Sequence, residues 1–92
     1  LGDVYKRQPA DGSAFTLEQV LIDASGTANY TLYGVPVEQE TAHPPVIAEG
    51  KLRGGQISAD VETNEPLLRV VLKVDGETDV KNVSLVGHVV VH

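Results

Sequence analysis

The chain of 92 residues contains no cysteine, no methionine and no tryptophan. Without cysteine it can build neither a disulfide framework, on which small secreted domains often rely, nor a thiolate metal site. Stability must come from apolar packing and backbone hydrogen bonding. Aromatic residues are also scarce, being limited to Tyr5, Phe15, Tyr30 and Tyr33. Basic residues number 7 against 13 acidic ones, and the resulting formal charge of −6 repels phosphate backbones rather than neutralising them. No apolar run approaches the roughly 20 residues that a membrane-spanning helix requires, and no stretch resembles a signal peptide. The expectation is therefore no nucleic-acid partner and no membrane partner.

What is abundant is Val, Leu and Ile, and such a β-branched composition suits a pleated, half-buried surface. A chain of this length folds as one domain burying about two thirds of its surface, enough for one core but little for a deep active-site cleft. Residues 1–8, LGDVYKRQ, resemble the translated sequencing-adapter read-through carried by reading frames assembled from environmental sequence data. That resemblance implies a segment without selected function. Residues 1–12 are accordingly expected to be a disordered or artefactual arm, and residues 13–92 a single β domain.

Residues 66–92 read as the organising hairpin, two strand-like runs flanking the Asp75-Gly76 turn signal. In the first run Leu68, Val70, Leu72 and Val74 form an apolar face, with Leu67, Arg69, Val71 and Lys73 opposite. In the second, Val83, Leu85, Val89 and Val91 alternate with Gly87 in the missing place. The offset from Val80 to Val83 indicates a bulge near Lys81-Asn82, and Gly87 is expected to admit a close neighbour. Val86 and Val90 share the other face with His88 and His92, so this strand is either covered on both sides or left as an adhesive edge.

Upstream, residues 15–23 carry two periodicities. Leu17, Val20, Leu21 and Ala24 match a helix, with Thr16 and Gln19 spaced as a capping box, whereas alternation matches a strand. Strand is the expectation, because DASG followed by TANYTLYG reads as a hairpin turn and its return strand. Gly54-Gly55 likewise reads as a hairpin turn, followed by Ile57, Ala59 and Val61 in alternation with polar residues. Residues 34–45, with Pro36, Pro44 and Pro45, form the longest connection, a crossover or a recognition loop. The sum is all-β: a single small antiparallel β-sandwich or barrel, Ig-like or jelly-roll-like, of six to seven strands.

Chemistry-bearing patterns are few. HVVVH at positions 88–92 mimics a zinc-binding His-x3-His pair, but on a strand the two imidazoles stand about 13 Å apart, too far to share one ion. DGETD at 75–79 offers three alternate carboxylates to Ca²⁺ without the rest of an EF-hand loop, and a solvated acidic turn is the commoner outcome. Antiparallel wiring is expected to gather Asp23, Asp75, Glu77 and Asp79 near Gly54-Gly55 at one end of the fold. Glu38, Glu40, His43, Glu62, Asn64 and Glu65 would gather at the other. Asn29-Tyr30-Thr31 and Asn82-Val83-Ser84 match the N-glycosylation pattern inside strands, where chance matches are expected. There is no G-x-S-x-G elbow, no phosphate-cradling glycine loop and no cysteine nucleophile.

The expectation is thus a non-enzyme with no catalytic, metal or cofactor site. It is a structural or interaction module binding a protein partner or its own copies, as a homo-oligomer, with Val86, His88, Val90, Pro36, Pro44 and Pro45 as interface candidates. A virion-associated setting, capsid-decorating or tail-associated, is the favoured form. The alternative is a carbohydrate- or calcium-binding extracellular β module of a longer adhesin-type protein. A virion or extracellular location follows from either.

Overall fold

The computed structural model describes residues 3–37, 43–61 and 63–90. It is all-β, with β1 (Asp3–Arg7), β2 (Phe15–Pro36), β3 (Val46–Asp60), β4 (Leu67–Asp75) and β5 (Val80–Val89) joined in a single five-stranded sheet. The centre of that sheet is β2, which pairs antiparallel with β3 along most of its length. Its other edge is divided: β5 takes residues 15–24 and β4 takes residues 29–36. Over residues 29–36 the partner falls from Asp75 to Leu67 as β2 advances, so this pair also runs antiparallel. On the far edge of β4 lies β1, with Tyr5 opposite Leu72.

A straight strand of 22 residues would run about 70 Å at ~3.3 Å per residue. The longest dimension of the whole molecule is 40 Å, so β2 has to bend. The bend falls at Ser25-Gly26, where the ladder to β3 slips by one residue between the pairs Ala24↔Gly55 and Thr27↔Arg53. Facing it in β3 are Gly54 (φ 81°) and Gly55 (φ 83°), conformations that side chains with a Cβ rarely adopt. Both strands turn together and keep their pairing.

Two of the turns read from the sequence are therefore corners. DASG and Gly54-Gly55 do not reverse the chain, because each faces the other across the ladder and a shared bend satisfies both. Four expected strands merge into two, and with β1 added the sheet has five strands rather than six to seven. The sheet is not closed into a barrel: the outer edges of β1, β3 and β5 have no strand partner among the described residues. One contact draws it inward, since Leu67 is a ladder partner of both Pro36 and Phe15, the two ends of β2.

The expected hairpin over 66–92 is also overturned. β4 and β5 pair with different halves of β2 and not with each other, since the connection between them wraps the Ser25-Gly26 corner. Residues 3–7, set aside in the sequence reading as part of an arm, are paired here as β1. Tyr5 packs partly against the core and Val4 is exposed.

Bulges explain where the apolar pattern misled. Phe15 and Leu17 are buried, then Val20, Ile22 and Ala24, because Glu18 is an extra residue opposite Gly87 and Val86. The resulting three-residue step is what imitates a helix, although the segment is strand as expected. In β4 the extra residue is Leu68, so Leu67 rather than Leu68 joins Val70, Leu72 and Val74 in the core. Lys81 is the extra residue in β5, at the expected place. More than half of the buried apolar side chains belong to β2, which makes it the spine of the core as well as of the sheet.

Gly87 lies so close to Thr16 that a Cβ there would overlap the Thr16 carbonyl oxygen and crowd Leu17 Cα at 3.0 Å. Both obstacles are backbone and neither can rotate away. Gly87→Ala is expected to cost about 2–3 kcal/mol of stability in urea unfolding. A loss below about 0.5 kcal/mol would show that β2 and β5 do not approach so closely.

Candidate functional site

The corner gathers several hydrogen bonds that tie distant parts of the chain together. Ser25 N–H donates to the Asp79 carbonyl at 2.8 Å, and Asp79 N–H donates to Ser25 Oγ at 2.9 Å. Thr78 Oγ1 accepts from Gly26 N–H at 2.7 Å and lies 3.3 Å from Ser25 Oγ. The backbone groups freed by the β2 bulge thus find partners in the β4–β5 connection. Gly76, at φ 142°, allows that connection to pass Ala28, whose Cβ would stand 2.8 Å from an added methyl.

The DGETD turn and the Gly54-Gly55 region each border Ser25-Gly26, from opposite edges of β2 and in the middle of the sheet, rather than gathering at one end of the fold as expected. Asp23, pairing with Gln56 and Asn82, sits one step away in the ladder. Among the described residues no three carboxylate or imidazole groups come together to hold a metal ion, so the carboxylates of the turn do not form a cage. Glu38, Glu40, Glu62 and His92 lie outside the described residues.

The interface candidates fall into two separate sets. Val86 and His88 are exposed on β5, and Val90 is half-buried just beyond it, its N–H donating to the Ala14 carbonyl at 2.9 Å. His88 Nε2 stands 3.6 Å from Glu18 Oε1, with both side chains largely in solvent, so the pair is worth little. Pro36 ends β2 opposite Leu67, and the ladder puts Leu67 and Phe15 between it and Val89. Pro45 accepts from Gly34 N–H at 3.1 Å, while Pro44 lines a shallow hollow with Tyr33, His43 and Val71. The proline region therefore begins later than expected, because Gly34, Val35 and Pro36 complete β2.

A second hollow, of about 340 Å³, lies between residues 7–9 and β5. Phe15, Leu17, Val83 and Leu85 line it, with Arg7 and His88 among its polar residues. Two of the aromatic side chains are withdrawn from any sugar-stacking platform. Phe15 and Tyr30 are buried in the core, and Tyr30 lies over Gly50, its ring 3.0 Å from where a Cβ would be. Asn29 and Asn82 sit within β2 and β5, with Asn82 Nδ2 donating to Ser84 Oγ at 2.9 Å. The sequence reading missed the role of Ser25 and Thr78. Their signal, two hydroxyls beside glycine-containing turns, is legible only once the turns are known to touch.

Comparison with protein-family models, curated proteins and solved structures finds no match.

Burial, with a smaller contribution from Asp60, holds the Tyr30 phenol above its ordinary value. The folded value therefore exceeds the unfolded one of about 10. Its contribution is complete below about pH 10 and is lost as the pH rises through the folded value. Absorbance at 295 nm should show Tyr30 ionising above its ordinary range and together with unfolding. Tyr30→Phe should remove that part of the alkaline loss, and an unchanged alkaline midpoint would contradict the assignment. At the corner, Thr78→Val is expected to cost about 1–2 kcal/mol in urea unfolding, since it leaves Gly26 N–H without its acceptor. Thr63→Val, which removes the local bond from Glu65 N–H, should cost far less.

Proposed function

We propose that this chain is a structural and interaction module that engages a protein partner through a strand edge. Within that reading the bent sheet is a two-layer β-sandwich. One layer holds β1, β4, the second half of β2 and the first half of β3; the other holds β5 and the remaining halves.

The observation that carries the proposal is the character of β5. From Asn82 to Val90 it has no Asp, Glu, Lys or Arg, its outer edge has no strand partner among the described residues, and Val86 and Val89 are 37% and 50% exposed. Exposed edges are usually blunted by charge, and the other two are: β1 carries Lys6 and Arg7, and β3 carries Glu49, Lys51, Arg53 and Asp60. An edge left without such protection is suited to strand addition, in which backbone groups supply affinity and alternate side chains supply selectivity.

The setting we favour is a virion, as a capsid-decorating or tail-associated protein. It is supported by a small acidic β domain without cysteine in a chain whose first residues resemble read-through from environmental assemblies, and the step from form to setting is one of analogy. The adhesin-type alternative is weakened by the burial of Phe15 and Tyr30, which takes them from any sugar platform. Long-read sequencing of the intact locus tests the setting. Capsid or tail genes beside this reading frame are expected, whereas tandem copies of the domain within one adhesin-like gene would overturn it.

A further inference from the structure

We infer that the partner for β5 is a second copy of β5, running antiparallel about a two-fold axis at Val86; this rests on the strand-edge reading above. The direction of the backbone groups follows from one hydrogen bond. Val90 N–H points inward to the Ala14 carbonyl. In an antiparallel ladder alternate residues direct both backbone groups to the same side. Val86, His88 and Ser84 therefore face β2, and the bulge at Glu18 does not alter this because the extra residue lies in β2. Val83, Leu85, Gly87 and Val89 direct their N–H and C=O groups outward, where no strand receives them among the described residues.

A two-fold axis at Val86 pairs all four of these outward residues. Leu85 stands opposite the partner's Gly87, and Val83 opposite the partner's Val89, so the half-exposed Val89 gains an apolar neighbour. The Leu85 side chain lies across from the position where Gly87 has none. On the other face Val86 meets its own copy, and His88 lies opposite the partner's Ser84. No like charges are brought face to face.

Charge is what selects a second copy. Two chains at −6 repel each other at long range, so they associate only where acidic side chains are absent from the contact. Residues 82–90 carry no acidic side chain, and Glu18 of β2 beside them faces His88, whereas β3 would set charged side chains against one another. A basic foreign partner would find Glu18 as the carboxylate beside this edge, and that group already faces His88. Screening the net repulsion should then tighten the dimer as salt rises.

Sedimentation equilibrium on the full chain, from about 10 μM to about 1 mM, tests this together with amide exchange by NMR. A reversible dimer is expected, with Leu85, Gly87 and Val89 amides gaining protection as concentration rises while Ser84, Val86 and His88 do not change. Val86→Lys should weaken the dimer at least about tenfold, and Val46→Lys, at a 51% exposed site on β3, should leave it intact. Should Val86→Lys fail to fold, the exchange pattern of the unsubstituted chain decides alone. A chain monomeric at every concentration, or protection gained on the inward amides instead, overturns the inference. Either result leaves the strand-edge reading standing for a different protein partner. Complete protection of the outward amides in the monomer would remove the strand-edge reading as well.

Discussion

Ser25-Gly26 in β2 faces Gly54-Gly55 in β3, and because both strands bend at the same step of the ladder neither loses its partner. A bulge frees backbone groups that water or another segment must satisfy. Here the β4–β5 connection does so, through Ser25, Thr78 and the Asp79 backbone. The rest of the arrangement follows from that contact. Once the connection is fastened to the corner, β4 continues along one half of β2 and β5 along the other, and the two cannot lie side by side.

Dividing one edge of β2 between two strands determines what is buried and what is left open. β4 lies between β2 and β1, and its Val70, Leu72 and Val74 are among the most deeply buried side chains. β5 has β2 on one side only. Its inner part contributes Val83 to the core, while towards its end Val86 and Val89 emerge into solvent. The same corner that gives the core its spine therefore leaves at the surface a strand edge without Asp, Glu, Lys or Arg from Asn82 onward, and the proposed interface is a consequence of the fold rather than an addition to it.

Much of this was legible in the residues. Alternation identified β5, the bulge at Lys81 and the close approach at Gly87, because each depends on a local departure from period two. The all-β class followed from composition and turn signals in the same way. What was not legible depends on which turn signal meets which. DASG and Gly54-Gly55 are each ordinary hairpin sequences, and only their registration across the ladder turns them into corners. Leu67 replaces Leu68 in the core, and Val20 follows Leu17, for a related reason: an unpaired residue shifts parity without leaving a mark on either side of itself. The corner network was hidden similarly, since Ser25 and Thr78 are 53 residues apart.

Cross-strand NOEs in a labelled sample bear most directly on the paired corner. Contacts of Thr27 with Arg53, of Ala24 with both Gly55 and Val80, and of Val74 with Tyr30 are expected if β2 and β3 bend together and share the connection. Contacts of Val74 with Val80 in the pattern of a hairpin, with none between Thr27 and Arg53, would contradict it.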